Sequence, residues 1–459
     1  MTNSKRLSLG GVLALAAVLG GCAGPCSKIH SIDGPTLAAN GIDLSTYVAV
    51  GTSLSSGYES GGLVDRHQAH SFPSLFANQI GKTVQIDGKG TFTQSTVNYD
   101  GIPALLEIKS YSPLIINAAG RTTGAPTNLA QNFAYHNLGI PGAILLDLVD
   151  TTHYHDTVSP VNRLDFTYFN LIQRGRGSIL AQALSLAPSI ISLEYGANEI
   201  LGPTARLGTA PSNLTGGFYA QLLTLSLDLI HAALPNTKVA IFNVPDVTSI
   251  PFFTTFPPFT RSTTTGALLP LVGTGGPLQL GDLVLLSAGS LIATGTGIPA
   301  GGLNFVNPAA PSNGQPLPES LILRAPEVAA TRTEIAKMND AVSSVSTRPF
   351  VTKVDLADLL ADISTNGVRI GGNLYTSAFV TGGLFSLDGV HPNDLGYALM
   401  ANQLIDAVNV RFGSRVPRVN PAEFASPNAS RARPAAEARY PASIEGLQQE
   451  LEILFPRSN

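Results

Sequence analysis

Apolar residues along the chain fall into two kinds of pattern. Short, nearly unbroken runs at 46–50, 133–138, 189–195, 238–243 and 350–354 predict strands covered on both faces, because a strand with one wet face would alternate. Between them, longer stretches at 72–80, 143–149, 177–185, 218–234, 326–346 and 393–412 predict helices. In the fourth of these, Leu222, Leu225, Leu229 and Leu234 recur at roughly helical spacing, and Pro188 and Pro235 fall where helices should stop. Strand alternating with helix predicts a three-layer α/β/α sandwich around a parallel sheet.

Two long segments break that rhythm. Residues 81–131 have Gly, Thr, Ser and Pro spread through them and room for a β-hairpin. Residues 251–318 are richer still, with Pro257-Pro258 and Thr263-Thr264-Thr265 around apolar pieces such as 283–286. Long insertions of this kind are commonly functional, so the second is expected to be an apolar lid beside a site, with an excursion packed on the core as the rival. Residues 44–412 make up the folded domain and 413–459 a Pro/Ala/Arg-rich tail with an amphipathic helix expected at 443–454.

Composition narrows the class. Of 459 residues, 44% are hydrophobic and only 13% charged, with a net charge of −4, 46 glycines and 32 prolines. No Lys/Arg run or basic face argues for nucleic acid. The low charge suits a secreted or envelope protein with turn-rich apolar loops. The amino terminus agrees: Lys5 and Arg6 precede an apolar run that ends Leu19-Gly20-Gly21-Cys22. Residues 1–21 thus read as a secretory signal, too short for a comfortable membrane span. Leu-Gly-Gly-Cys resembles the bacterial lipoprotein box, so Cys22 is expected to carry lipid and tether the protein to the cell envelope, at the outer membrane or a periplasmic face. Residues 22–43 then form a linker, and Cys26 is left without an intrachain partner.

The candidate chemistry lies at strand ends. The first strand runs into Gly51-Thr52-Ser53-Leu54, delivering a serine hydroxyl to the C-terminal edge of the sheet. A serine needs a base to remove its proton, and a histidine needs a carboxylate to hold its tautomer. Asp388 and His391, three apart in a glycine-containing turn before the last helix, supply that pair. Asn137-Leu138-Gly139-Ile140-Pro141-Gly142 ends the second strand and Glu194-Tyr195-Gly196-Ala197-Asn198-Glu199 the third, offering a backbone amide and a side-chain amide to an oxyanion.

These four blocks resemble the SGNH hydrolases, the GDSL family of esterases and lipases, from Ser45 to about Val408. The resemblance implies a flavodoxin-like parallel sheet, Ser53 as nucleophile, His391 as base and Asp388 as its orienting acid. It further implies an oxyanion hole of the Ser53 amide, Gly142 (Gly139 being the second choice) and Asn198. No metal or organic cofactor is implied. Two residues depart from the pattern: Thr52 stands where the family usually has Asp, and Glu199 where it has a second Asp. Both bear on how the nucleophile loop is braced.

Other readings fit less well. The α/β-hydrolase elbow wants Gly-x-Ser-x-Gly, and here Ser55 occupies the last position. His153-Tyr154-His155-Asp156 gathers possible metal ligands but lacks a second cluster, and reads as a polar loop; His67 and His70 beside Asp65 read as ordinary loop residues. The expected function is a lipid-anchored serine esterase or lipase acting on carboxylic esters, with lipid or other acyl esters favoured by the apolar insertion. The rivals are a non-catalytic binding lipoprotein on a degenerate scaffold and a carbohydrate O-acetylesterase.

Overall fold

A computed structural model describes residues 42–85, 90–111, 114–118, 120–150, 163–425 and 441–444. The expected signal segment, Cys22, Cys26, most of the expected linker and tail, and the His153–Asp156 run lie outside these residues.

Strands form at all five expected places, as β1 (Tyr47–Gly51), β2 (Asn137–Gly139), β3 (Ile190–Glu194), β4 (Lys238–Phe242) and β5 (Val351–Val354), although the second is shorter than expected and leaves 133–136 outside it. They pair in parallel in the order β5-β4-β3-β1-β2. This is the flavodoxin-like order, in which the chain reverses direction across the sheet between β1 and β3. Alternate side chains of β1 enter different cores. Val48 and Val50 join a cluster with Leu193, Ile241 and Val351, while Tyr47 and Ala49 join another with Phe242 and Val354.

Helices cover both faces. The Val48 side receives α2 (Arg163–Gln173), α3 (Ile179–Ser185), α4 (Ala197–Leu207), α5 (Thr215–Ala233) and α6 (Ala325–Val345). The Tyr47 side receives α1 (Phe72–Gln79), through Phe72 and Phe76, and α8 (Asp394–Phe412), through Tyr397, Leu404, Ile405 and Val408. Between α6 and α8 lies α7 (Leu356–Asn366). The chain is therefore an α/β/α sandwich, as its apolar pattern implies.

Three expectations need correction. The 143–149 helix is a single 3-10 turn, Leu145–Leu148, and α2, α4 and α7 were not expected as helices. Residues 441–444, placed partly in a terminal helix, form a strand parallel to Leu114–Asn117. That strand belongs to the antiparallel hairpin Glu107–Tyr111/Leu114–Asn117, whose edge offers unpaired backbone groups. Finally, the 251–318 insertion is not held out as a cover. Phe252, Phe253, Phe256, Leu271, Leu278, Leu286, Ile292 and Leu317 are buried in the same cluster as β1 and β3. The rival reading, an excursion packed on the core, is the one observed.

Candidate active site

The nucleophile turn is built by close approach. β1 ends at Gly51, where a Cβ would lie 2.2 Å from Ser55 Oγ and 2.7 Å from the Glu194 carbonyl oxygen, so only glycine fits. Thr52 then caps a one-turn helix, Ser53–Ser56, with its Oγ1 accepting from the Leu54 N–H. The turn puts Ser53 at the C-terminal edge of the sheet, beside the point where strand order reverses. Ser53 is buried, with 5% of its surface exposed.

On the far side, Gly389 adopts φ +72° in the turn Ser386–His391, which closes through the Ser386 N–H donating to the His391 carbonyl at 2.8 Å. Asn393 caps α8 immediately after it. This turn aims His391 at the serine: Nε2 lies 2.9 Å from Ser53 Oγ, while Nδ1 lies 3.0 Å from Asp388 Oδ2. Asp388 also accepts from the backbone N–H groups of Val390, His391 and Gly61 at 2.8, 2.8 and 3.1 Å. Burial alone would raise its carboxyl; the adjacent imidazole and these donors outweigh it and hold the group below its ordinary value. Tyr58 packs its ring 4.7 Å from the imidazole.

The third side is an oxyanion site in form. α4 starts at Gly196, whose φ of +124° and crowding by Val244 turn the chain sharply out of β3. This places Asn198, 5% exposed, where its Nδ2 donates to the Ala143 carbonyl at 2.8 Å. The Gly139 N–H is engaged by Asn137 Oδ1 at 3.1 Å. Among the described residues nothing accepts from the N–H groups of Ser53 or Gly142. Two backbone donors and the second Nδ2 hydrogen of Asn198 thus remain for a ligand, and the geometry separates Gly142 from Gly139.

Glu194 is a site residue that sequence reasoning passed over. Its carboxylate accepts from the Thr52 N–H at 3.0 Å, from Thr52 Oγ1 at 2.9 and 3.0 Å, and from Ser55 Oγ at 3.1 Å. The carboxylate absent from position 52 is thus supplied by the neighbouring strand. Burial pushes the group up to about 7, against the pull of those hydrogen bonds. The legible signal was a glutamate closing a fully buried, largely apolar strand. Glu199 does parallel work, accepting from the Leu145 N–H at 2.8 Å and so fastening the Gly142 loop to α4; burial pushes it, too, up to about 7.

Nearby, a cavity of about 530 Å³ is lined by Ser60, Arg66, His67, Tyr99, Arg121 and Leu387 among others. Neither Ser53 nor His391 lines it, so it flanks the acid–base turn from behind.

Fold and site together bring a serine, a histidine and an aspartate into one hydrogen-bonded line at the edge of a flavodoxin-like sheet. The family model for GDSL-like lipase/acylhydrolase matches residues 47–404, and the chain belongs to that family. Its function is accordingly of the hydrolase, esterase–lipase kind. Among solved structures, a protein described as a GDSL-like lipase from Parabacteroides merdae is similar at 13% identity and a TM-score of 0.32, covering 81% of this chain and 99% of its own. No curated protein matches.

Proposed function

We propose that the protein is a serine esterase or lipase that cleaves carboxylic esters through an acyl-enzyme on Ser53. His391 Nε2 takes the hydroxyl proton as Oγ attacks the ester carbonyl. Asp388 holds the imidazole in the tautomer that leaves Nε2 free to accept, and stabilises the imidazolium that forms. Negative charge on the carbonyl oxygen falls to the Ser53 and Gly142 N–H groups and the Asn198 amide. His391 then protonates the leaving alcohol and activates water for deacylation, which returns Ser53. The observation that carries this reading is the continuous chain of contacts from Ser53 Oγ through the imidazole to Asp388, at 2.9 and 3.0 Å. Lipid or other acyl esters are the proposed substrate class, and Cys22 the proposed lipid anchor to the bacterial envelope.

The test is turnover of p-nitrophenyl acyl esters together with covalent labelling by a fluorophosphonate. Wild type should hydrolyse and label, and Ser53→Ala should do neither. An intact, folded wild type that does not label would instead be a binding protein on this scaffold. Activity surviving in Ser53→Ala would mean a different nucleophile.

A further inference from the structure

Beside the turn that carries Asp388 and His391, two neighbouring stretches of the chain and one more than three hundred residues away meet at a cluster that the proposed reaction does not use. Glu59 comes from the loop after the nucleophile turn, His67 from the short helix Asp65–Gln68, and Asp394 from the first residue of α8. His67 Nδ1 lies 3.0 Å from Asp394 Oδ1 and 3.2 Å from Glu59 Oε2. The three donor atoms all fall within 4.8 Å of one another. His70 adds its Nδ1, 2.9 Å from the other Asp394 oxygen, Oδ2.

Hydrogen bonding leaves this cluster incompletely explained. A protonated His67 Nδ1 has a single N–H, and it is aligned with Asp394. Glu59 Oε2 is buried, on a residue only 8% exposed, and receives no hydrogen bond despite facing the same nitrogen. His70 Nδ1 is likewise close to its carboxylate without being aligned to it. The unpaired Glu59 Oε2, 3.2 Å from His67 Nδ1, and the unaligned His70 Nδ1 leave two atoms able to turn towards one small cation, whose bonds to N and O are about 2.0–2.2 Å. Two carboxylates balance a divalent charge, and imidazole nitrogen favours zinc or a similar transition metal over calcium or magnesium. His67 also lines the cavity of about 530 Å³, which supplies a route in from solvent.

We propose that Glu59, His67 and Asp394, with His70 at the rim, form a structural site for a divalent transition metal, zinc foremost. The cation would tie the Glu59 loop to the start of α8. That loop already braces the acid: Gly61 N–H donates to Asp388, and Ser60 N–H to Ser386 Oγ at 2.9 Å. Metal binding therefore stiffens the frame of the acid–base turn from outside, without entering the reaction. This proposal does not depend on the esterase reading.

The experiment titrates zinc chloride into untagged, chelator-treated full chain by calorimetry, with metal content after dialysis measured by mass spectrometry and melting followed with and without zinc. One zinc per chain and a melting point raised by zinc are expected. Glu59→Gln, which keeps the side chain's shape, should weaken zinc at least about tenfold, since it removes one charged ligand. Paired Glu59→Gln and His67→Asn should abolish both effects, while His153→Ala with His155→Ala should leave them intact. No saturable zinc binding by wild type overturns the proposal, leaving an imidazole–carboxylate ion pair. Equal zinc affinity in Glu59→Gln, or loss of binding on changing His153 and His155, overturns it as well.

Discussion

The residue-scale lesson is that a missing carboxyl group can be replaced from the next strand. Thr52 alone cannot anchor the nucleophile turn as a carboxylate would, but Glu194 reaches it across the β1–β3 pairing. Buried and pushed up to about 7, Glu194 binds its proton more tightly folded than unfolded, where it has an ordinary value near 4.5. Its contribution to stability is complete below about pH 4.5 and is lost as pH rises through 7. Glu194→Gln cannot titrate, so wild type should lose up to about 3 kcal/mol relative to the variant between pH 4.5 and 8. Urea midpoints across that range check this, and parallel curves would refute it. Asn198 carries a different expectation. With its amide gone, Asn198→Ala should lose roughly a hundred- to a thousandfold in kcat, with little change in KM, as measured by steady-state ester hydrolysis.

At the scale of elements, the strands were legible because burial on both faces leaves runs such as Ile190-Ile191 with nothing polar to interrupt them. Helix α4 was obscured by Pro203 within it and by the glycine at its start, both of which read as punctuation. Its backbone is nonetheless helical, because tertiary packing of Ile200, Leu201 and Ala205 outweighs propensity. Helix α7 could have been read, since Leu356, Leu359, Leu360 and Ile363 keep helical spacing behind an Asp355 cap. The 251–318 insertion misled through composition: apolar pieces among Gly, Pro and Thr look like a lid whether they cover a site or fill a core. Phe252 decides between the two. It is fully buried, its ring 5.1 Å from that of Phe253, and its N–H donates to the Gly389 carbonyl. Phe252→Ala should therefore cost about 3–5 kcal/mol in denaturant unfolding. A lid residue would cost little.

Across the whole molecule, the proposed catalytic residues could be collected from sequence because each sits at the end of a strand or the start of a helix, where fold topology alone brings them to one rim. Glu194 and the Glu59–His67–Asp394 cluster could not, since their partners are set by side-chain reach across strands and over more than three hundred residues. The amino-terminal reading is tested at this scale too. Metabolic labelling with a fatty-acid analogue should mark the protein and send it to the membrane fraction, and Cys22→Ala should abolish both. Equal labelling of the variant would remove the anchor from the proposal.

The proposed acid and base ride together on the turn that opens α8, whereas the proposed nucleophile rides on the end of β1. A slip between sheet edge and turn would part hydroxyl from imidazole and leave the imidazole–carboxylate pair whole. The proposed machinery thus has one joint rather than two, and loosening it would silence the serine while its base stayed held in place.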